Sequence, residues 1–321
     1  MIIETLSRTS NIGVHKLLRL AETADVRYKE YRIPKRTGGD RLIEHPSREL
    51  KAIQRWIVQS VVSRFIIHES ATAYRKGSGI RINAERHRTT KYTNRYDFVN
   101  FFPSFKQMGI EKFFEDQSRK LGMGLSADDI DFVGKIVCRK GRLTIGAPSS
   151  PAITNAMMFE FDKKMHDSCI EDNLVYTRYA DDVFVSSHEK CALYGIERKI
   201  IKYKSNIGYL KLRVNHEKTA YLSKKYVRKV SGVIVTSDHK LSIGRDRKRE
   251  IKSLIYLWVN GKLDEDRLHY MRGLVAFARD IEPEFELRIR NKYGNNVIDE
   301  LLRSSNLDSR PDKNYGKLYD I

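Results

Sequence analysis

Two adjacent carboxylates, Asp181 and Asp182, stand inside the stretch YTRYADDVFVSS, residues 176–187, which otherwise has the character of a β-strand. Val175, Thr177 and Tyr179 precede them and Val183, Phe184 and Val185 follow, all β-branched or aromatic. Like charges side by side resist burial, so a fold that keeps both ionised supplies a cation, and oxygen ligands suit hard divalent ions such as Mg2+. The plainer alternative is a surface hairpin with Ala-Asp-Asp at its turn, where aspartate is common. A third acid, Asp97 in RYDFVNFFPSF, closes another strand-like segment far upstream. If the fold brings it beside the Asp-Asp hairpin, the three can hold two Mg2+ ions about 4 Å apart, the arrangement for in-line displacement at phosphorus. One ion then lowers the pKa of an attacking hydroxyl and the other stabilises charge on the leaving group.

The elements that must position these acids can be read from pattern. Residues 11–25 suggest a short helix, and YKEYRIPKRTGGDRLIEHP alternates as two strands about the turn Thr37-Gly38-Gly39-Asp40. Ser47 is placed to cap the next helix, in which Leu50, Ile53, Ile57 and Val61 recur at helical spacing. A Gly-containing loop at residues 74–82 leads to the strand that ends in Asp97, and a helical region covers roughly 108–138. RLTIGAPSSPAITNAMMFEFDKKMHD reads as a strand, a turn and a helix beginning near Pro151. The Asp-Asp hairpin follows, then an amphipathic helix near 190–207 and short strands through VSGVIVTSDHKLSIG. From Arg245 onward three basic helices are expected, separated by Gly261-Lys262 and Pro283. The change in period sets a domain boundary at residue 240, with a mixed α and β unit over 1–240 and a helical unit over 241–321.

Composition narrows the partners. Sixty Lys and Arg against 41 Asp and Glu leave a net charge of +19, which attracts polyanions, and a nucleic-acid backbone fits better than an anionic membrane surface. Binding carried by such charge weakens as salt rises. There is no apolar run of about 18 residues and no basic-then-apolar leader at the N-terminus, so neither a membrane span nor export is expected. The three cysteines, Cys138, Cys169 and Cys191, form no CxxC pair and suit neither a disulfide framework nor a zinc site. A cytoplasmic location is the expectation.

The order DFVNFFPSF, GAPSSP, YADD, LRVNHEKT resembles the motif series of reverse transcriptases, and the likeness runs from about residue 28 to 294. It implies an α+β right-hand polymerase fold, with fingers and palm over 1–240, an antiparallel palm sheet flanked by helices, and a helical RNA-binding thumb over 241–321. It also implies an RNA-directed DNA polymerase that uses deoxynucleoside triphosphates and two Mg2+ ions, with Mn2+ as a substitute. Asp97 and Asp181 are then the principal metal ligands, with Asp182 beside them and the carbonyl of Phe98 as a further ligand. Phe102 corresponds to the bulky gate that excludes a ribose 2′-hydroxyl, while one of Phe101 and Phe102 is expected in the core. Lys35 and Arg41 correspond to residues that grip the triphosphate, and Lys218 to a lysine near the pyrophosphate, a candidate general acid. Gly146 is expected to let backbone approach nucleotide or template closely. Ile145 stands where many relatives have Gln, which removes an amide from the nucleotide contacts.

Two further blocks resemble bacterial retron reverse transcriptases: Asn83-Ala84 with His87 is similar to their NAxxH element, and Val230-Ser231-Gly232 to their Val-Thr-Gly triplet. The plain reading of Asn83 and His87 is an ordinary helix face. Under the resemblance these residues, with Arg245, Arg247, Lys248, Arg249 and Lys252 of the thumb, contact RNA by shape and phosphate. A retron enzyme is expected to bind its own noncoding RNA, prime from a guanosine 2′-hydroxyl and make a branched DNA joined to RNA, called msDNA. Its expected partners are an effector protein in anti-phage defence and a host RNase H for template removal, since no such segment is evident before Ile321. Another stand-alone prokaryotic reverse transcriptase, of intron or abortive-infection type, and a non-catalytic RNA-binding scaffold are the alternatives, although a scaffold has no need of three acids.

Overall fold

The computed structural model describes residues 1–34, 38–225 and 227–303. It begins with α1 (Ile2–Ser10), which the pattern did not suggest, and α2 (Val14–Glu22), which falls within the helix expected over 11–25. Asn11 takes a left-handed conformation at the end of α1 and closes that helix. A hairpin follows, β1 (Tyr28–Pro34) and β2 (Asp40–Pro46), with Gly38 and Gly39 both at positive φ in its loop. Ser47 then caps α3 (Arg48–Ser60) by accepting the Leu50 amide at 3.3 Å.

The central unit runs through α4 (Ile80–Arg86), β3 (Tyr92–Phe98), α5 (Phe101–Ser104), α6 (Gln107–Lys120), α7 (Ala127–Val137), α8 (Ser150–Met157), α9 (Phe159–Glu171), β4 (Val175–Tyr179), β5 (Asp182–Ser187), α10 (Ile196–Ser205) and β6 (Val214–Ser223). The single helical region expected over 108–138 is two helices, because Gly122 and Gly124 turn the chain at positive φ and Ser126 starts α7 with a capping box to Asp129. Residues 142–145 form no ladder strand; Arg142 makes only isolated bridges, to Lys106 and Arg139.

Strands β4, β5, β3 and β6 form one antiparallel sheet in that order. Side chains alternate across it. Tyr96, Phe98, Tyr176, Val183 and Val185 point into a core shared with α6, α7, α8 and α9, which includes Phe114, Phe132, Ile153 and Phe161. The opposite face carries Arg95, Asp97 and Asp182, so the hydrophobic alternation that buries one side delivers the acids to the other.

The last unit opens with three short strands, β7 (Arg228–Val230), β8 (Val233–Val235) and β9 (Leu241–Ser242), and continues with α11 (Arg245–Val259), α12 (Glu265–Ile281), α13 (Pro283–Tyr293) and α14 (Asn295–Leu302). Its core contains Ile251, Leu254, Leu274, Val275, Phe285 and Ile298, and it already takes in Val230, Val233 and Val235. This core therefore takes in residues on both sides of residue 240. Ala84 of α4 and Phe184 of β5 also join this second core and fasten it to the sheet.

Candidate active site

The register of the sheet sets Asp97 directly opposite Asp182, so the two carboxylates share one face. Asp181 occupies the turn of the β4–β5 hairpin next to Ala180, a non-glycine residue at φ 55. That turn is held from beneath by Arg178, which is fully buried. Its Nε and Nη2 donate to the two oxygens of Asp162 at 2.8 and 2.7 Å, and its Nη1 donates to Asn155 Oδ1 at 3.2 Å and to the Ala180 carbonyl at 2.9 Å. The Tyr176 hydroxyl donates to the same Asp162 carboxylate at 2.7 Å. A strained turn persists where its surroundings fix it, and here a guanidinium supplies the fixing.

The electrostatics follow from crowding. Burial and then the Asp97 charge push the Asp181 carboxyl above its usual range, while Lys218 and Arg41 act in the opposite direction. Burial and then Asp181 push Asp182 to about 7, with Arg95 opposing at 3.9 Å. Lys218, from β6, places its ammonium 3.1 and 3.3 Å from the Asp97 oxygens. Among the described residues no cluster of His, Cys, Asp and Glu closes into a ready metal cage. The site instead presents carboxylates that repel one another, with one ammonium already drawn in, and such an all-oxygen donor set suits a hard divalent cation.

Around the acids the expected residues fall into different places. Arg41 lies exposed on β2, and its charge reaches Asp181. Lys35 lies outside the described residues. Of the two phenylalanines, Phe101 is the buried one, ringed by Phe98, Phe102 and Phe105, while Phe102 is only partly buried. Phe98 buries its ring against Phe101 and Phe161, which leaves its carbonyl as what it can offer a cation. Gly146 has a structural requirement of its own: a Cβ there would stand 2.9 Å from the Glu44 carbonyl oxygen, at a φ of 118°. The backbone that approaches it in this structure is that of β2. Ile145 joins in through its own carbonyl, which accepts the Glu44 amide at 2.8 Å.

The expected RNA contacts divide sharply. Asn83, His87 and Val230 are fully buried, so their side chains cannot touch RNA from where they lie. Asn83 Nδ2 donates to Ser231 Oγ at 2.7 Å, and His87 bonds Thr177 and Ser186. Ser231 and Gly232, in the turn between β7 and β8, are half-buried. On α11, Arg245, Arg249 and Lys252 are exposed. Arg247 stacks over Phe277 at 4.9 Å and donates to the Gly232 carbonyl, and Lys248 pairs with Glu282 at 2.7 Å, so these two tie helices and turn together.

Two ionic networks were not anticipated. One is Arg178 with Asp162; its signal was a charged residue at an inward position of an apolar strand. The other is buried Glu44, which accepts from Arg139 at 3.0 Å and Arg142 at 2.9 Å and so anchors the β1–β2 hairpin on the central unit. No local pattern marks that second network, because its members come from separate elements.

The sequence profile of the family described as reverse transcriptase (RNA-dependent DNA polymerase) matches residues 33–256. The retron Ec83 reverse transcriptase of Escherichia coli is 37% identical over 287 residues, covering 87% of this chain and 90% of that protein. This chain belongs to the retron reverse transcriptases. The retron Ec86 reverse transcriptase of Escherichia coli is 28% identical over 309 residues, covering 92% of each. Among solved structures, apo telomerase from Candida tropicalis overlays with a TM-score of 0.48 at 14% identity, covering 84% of this chain and 58% of that one. A foamy viral protease-reverse transcriptase gives 0.44 at 18%, covering 89% and 45%. The chain spans about half the length of these two. As a retron reverse transcriptase the protein is an RNA-directed DNA polymerase of right-hand fold. Among its described residues no helix is long and apolar enough to cross a membrane.

Proposed function

We propose that this reverse transcriptase binds a cognate structured noncoding RNA, starts synthesis from the 2′-hydroxyl of one of its guanosines, and copies part of it into msDNA. The pairing of Asp97 with Asp182 across the sheet, with Asp181 on the adjoining turn, carries the reading. Asp97, Asp181 and the Phe98 carbonyl would hold two Mg2+ ions, or Mn2+ in their place, with Asp182 alongside. Bound there, the ions would supply charge stabilisation and an acidified hydroxyl.

The chain's own residues do the rest. The priming hydroxyl gives its proton to solvent as its oxygen forms a bond to the α-phosphorus of the incoming deoxynucleotide and the bond from that phosphorus to pyrophosphate breaks, and Lys218 gives the leaving pyrophosphate a proton. Lys218, which donates to the Asp97 oxygens, must leave them to do so, and a cation held by that carboxylate would favour its release. Arg41 and Lys35 grip the triphosphate, and Phe102 bars a 2′-hydroxyl on the incoming sugar. Arg245, Arg249 and Lys252 meet RNA phosphates. A host RNase H removes the copied template, and the nucleoprotein restrains a neighbouring effector protein until phage infection.

The test is to express the protein with its flanking genomic DNA and compare total nucleic acid with that of a variant carrying Asp181→Ala and Asp182→Ala. A short, abundant DNA joined to RNA by a bond that debranching enzyme cleaves, and lost in the variant, is the expected result. Extension of an annealed primer on RNA without any such DNA would leave the polymerase and remove the branched-product reading.

A further inference from the structure

Helix α4 carries Asn83 and is capped at its C-terminal end by His87, the pair that the sequence singles out and that no step of the reaction uses. His87 is fully buried, and its two ring nitrogens are both engaged, one with Thr177 Oγ on β4 at 2.7 Å and the other with Ser186 Oγ on β5. Burial holds its pKa down to about 3, so the ring is neutral at working pH and serves as a brace between the two strands of the acid-bearing hairpin. One turn earlier on the same helix, Asn83 donates to Ser231 Oγ at 2.7 Å. Ser231 and Gly232 both stand in the left-handed region, at φ 44 and 86, a turn whose non-glycine member needs outside support. A helix of seven residues and the residue that caps it therefore grip the β4–β5 hairpin through His87 and the β7–β8 turn through Asn83.

Between those two grips lies a cleft of about 230 Å³ lined by Ile80, Arg95, Tyr179, Asp182, Lys229 and Ser231. Its lining brings together the Asp182 carboxylate of the reacting centre and the Ser231–Gly232 turn that Asn83 holds. An aromatic ring and two cationic side chains are the chemistry that receives a nucleotide, base on one side and phosphate on the other.

We propose that α4 is a spacer that sets the width of this cleft, and that Asn83, acting through Ser231, is a positioning residue for the strand end whose hydroxyl is extended. The proposal rests on Asp97, Asp181 and Asp182 being the reacting centre. It differs from an RNA-contact role for Asn83 and His87, since both act from inside the protein.

The experiment uses the full chain with an annealed primer on an RNA template and Mg2+, and follows addition of the first nucleotide by Asn83→Ala, Ser231→Ala, Ser231→Thr and the Asn83→Ala/Ser231→Ala pair. Loss of one hydrogen bond predicts a rise of about five- to tenfold in KM for primer–template in each alanine variant, with KM for the deoxynucleotide unchanged. The double variant is expected to be no worse than either single one, because both remove the same bond. Ser231→Thr keeps the hydroxyl and is expected to behave as wild type. Additive effects, or a Ser231→Ala variant with unaltered primer kinetics, would overturn the proposal. So would a fall in activity matched by an equal fall in thermal stability, which marks a merely structural bond. An Asp181→Ala control that still extends primer would instead overturn the assignment of the reacting centre.

Discussion

Replacing Arg178 by Met cuts four hydrogen bonds at once and leaves the Asp162 carboxylate in the core with only the Tyr176 hydroxyl as a donor. Both members of the ion pair have side chains that are 0% exposed, so neither can fall back on water. Breaking a buried pair on one side leaves an uncompensated charge, which costs about 3–5 kcal/mol, whereas replacing both members by apolar residues of similar size is often close to neutral. Arg178→Met is therefore expected to lower the unfolding free energy by about that amount in urea titrations, and Arg178→Met with Asp162→Leu to recover most of it. Activity should behave differently. The Ala180 carbonyl loses its guanidinium donor in both variants, so the turn that carries Asp181 loses its support and primer extension should stay depressed in the stable double variant. A single variant that loses less than about 1 kcal/mol, the range of an exposed pair, would refute the energetic argument. A double variant that regains wild-type extension would refute the claim that Arg178 holds the turn.

Asp182, at about 7, and Asp181 hold protons in the folded protein over a pH range where the unfolded chain has released them. These groups therefore cost the metal-free fold stability as pH rises from about 4 through 7, and added Mg2+ should offset that cost. Proton competition at a single group of pKa 7 predicts an apparent Mg2+ affinity about tenfold weaker at pH 6 than at pH 8. Thermal shift titrations at the two values check it, and equal affinities would count against the coupling of these acids to metal. Gly146→Ala forces a Cβ against the Glu44 carbonyl at positive φ, so a loss of about 1–3 kcal/mol is expected, together with a higher KM for deoxynucleotide as the hairpin carrying Arg41 is displaced. A stability loss with unchanged KM would detach Arg41 from nucleotide binding. Phe102→Ala should admit ribonucleotides, with discrimination falling about 10- to 100-fold in single-nucleotide incorporation assays; unchanged discrimination would remove Phe102 as the gate.

Local chemistry was legible where it depends on neighbours in the chain. The β-branched run around Asp181 and Asp182, the glycines of the β1–β2 loop, the cap at Ser47 and the basic helices after Arg245 all express backbone and side-chain preferences that act within a few residues. Errors arose where a short local signal competed with a longer pattern. The helix before Asn11 was not expected, and Gly122 and Gly124 split a region read as one helix. Asn83 and His87 were expected to contact RNA because they resemble the NAxxH element, but a motif does not say what its side chains meet. Here they meet Thr177, Ser186 and Ser231.

The sequence by itself determined that three carboxylates end or interrupt strands, that the chain is basic enough to seek a polyanion, and that its motif order is that of a reverse transcriptase. Only the tertiary structure decided that Asp97 faces Asp182, that Arg178 and Asp162 hold the turn between them, that β2 is what Gly146 must clear, and that α4 joins two hairpins. The physical reason is one of range. Propensity and alternation act over a turn of helix or a few residues of strand, whereas register, buried ion pairs and close backbone approach arise between segments far apart in the chain and exist only once the core has closed around them.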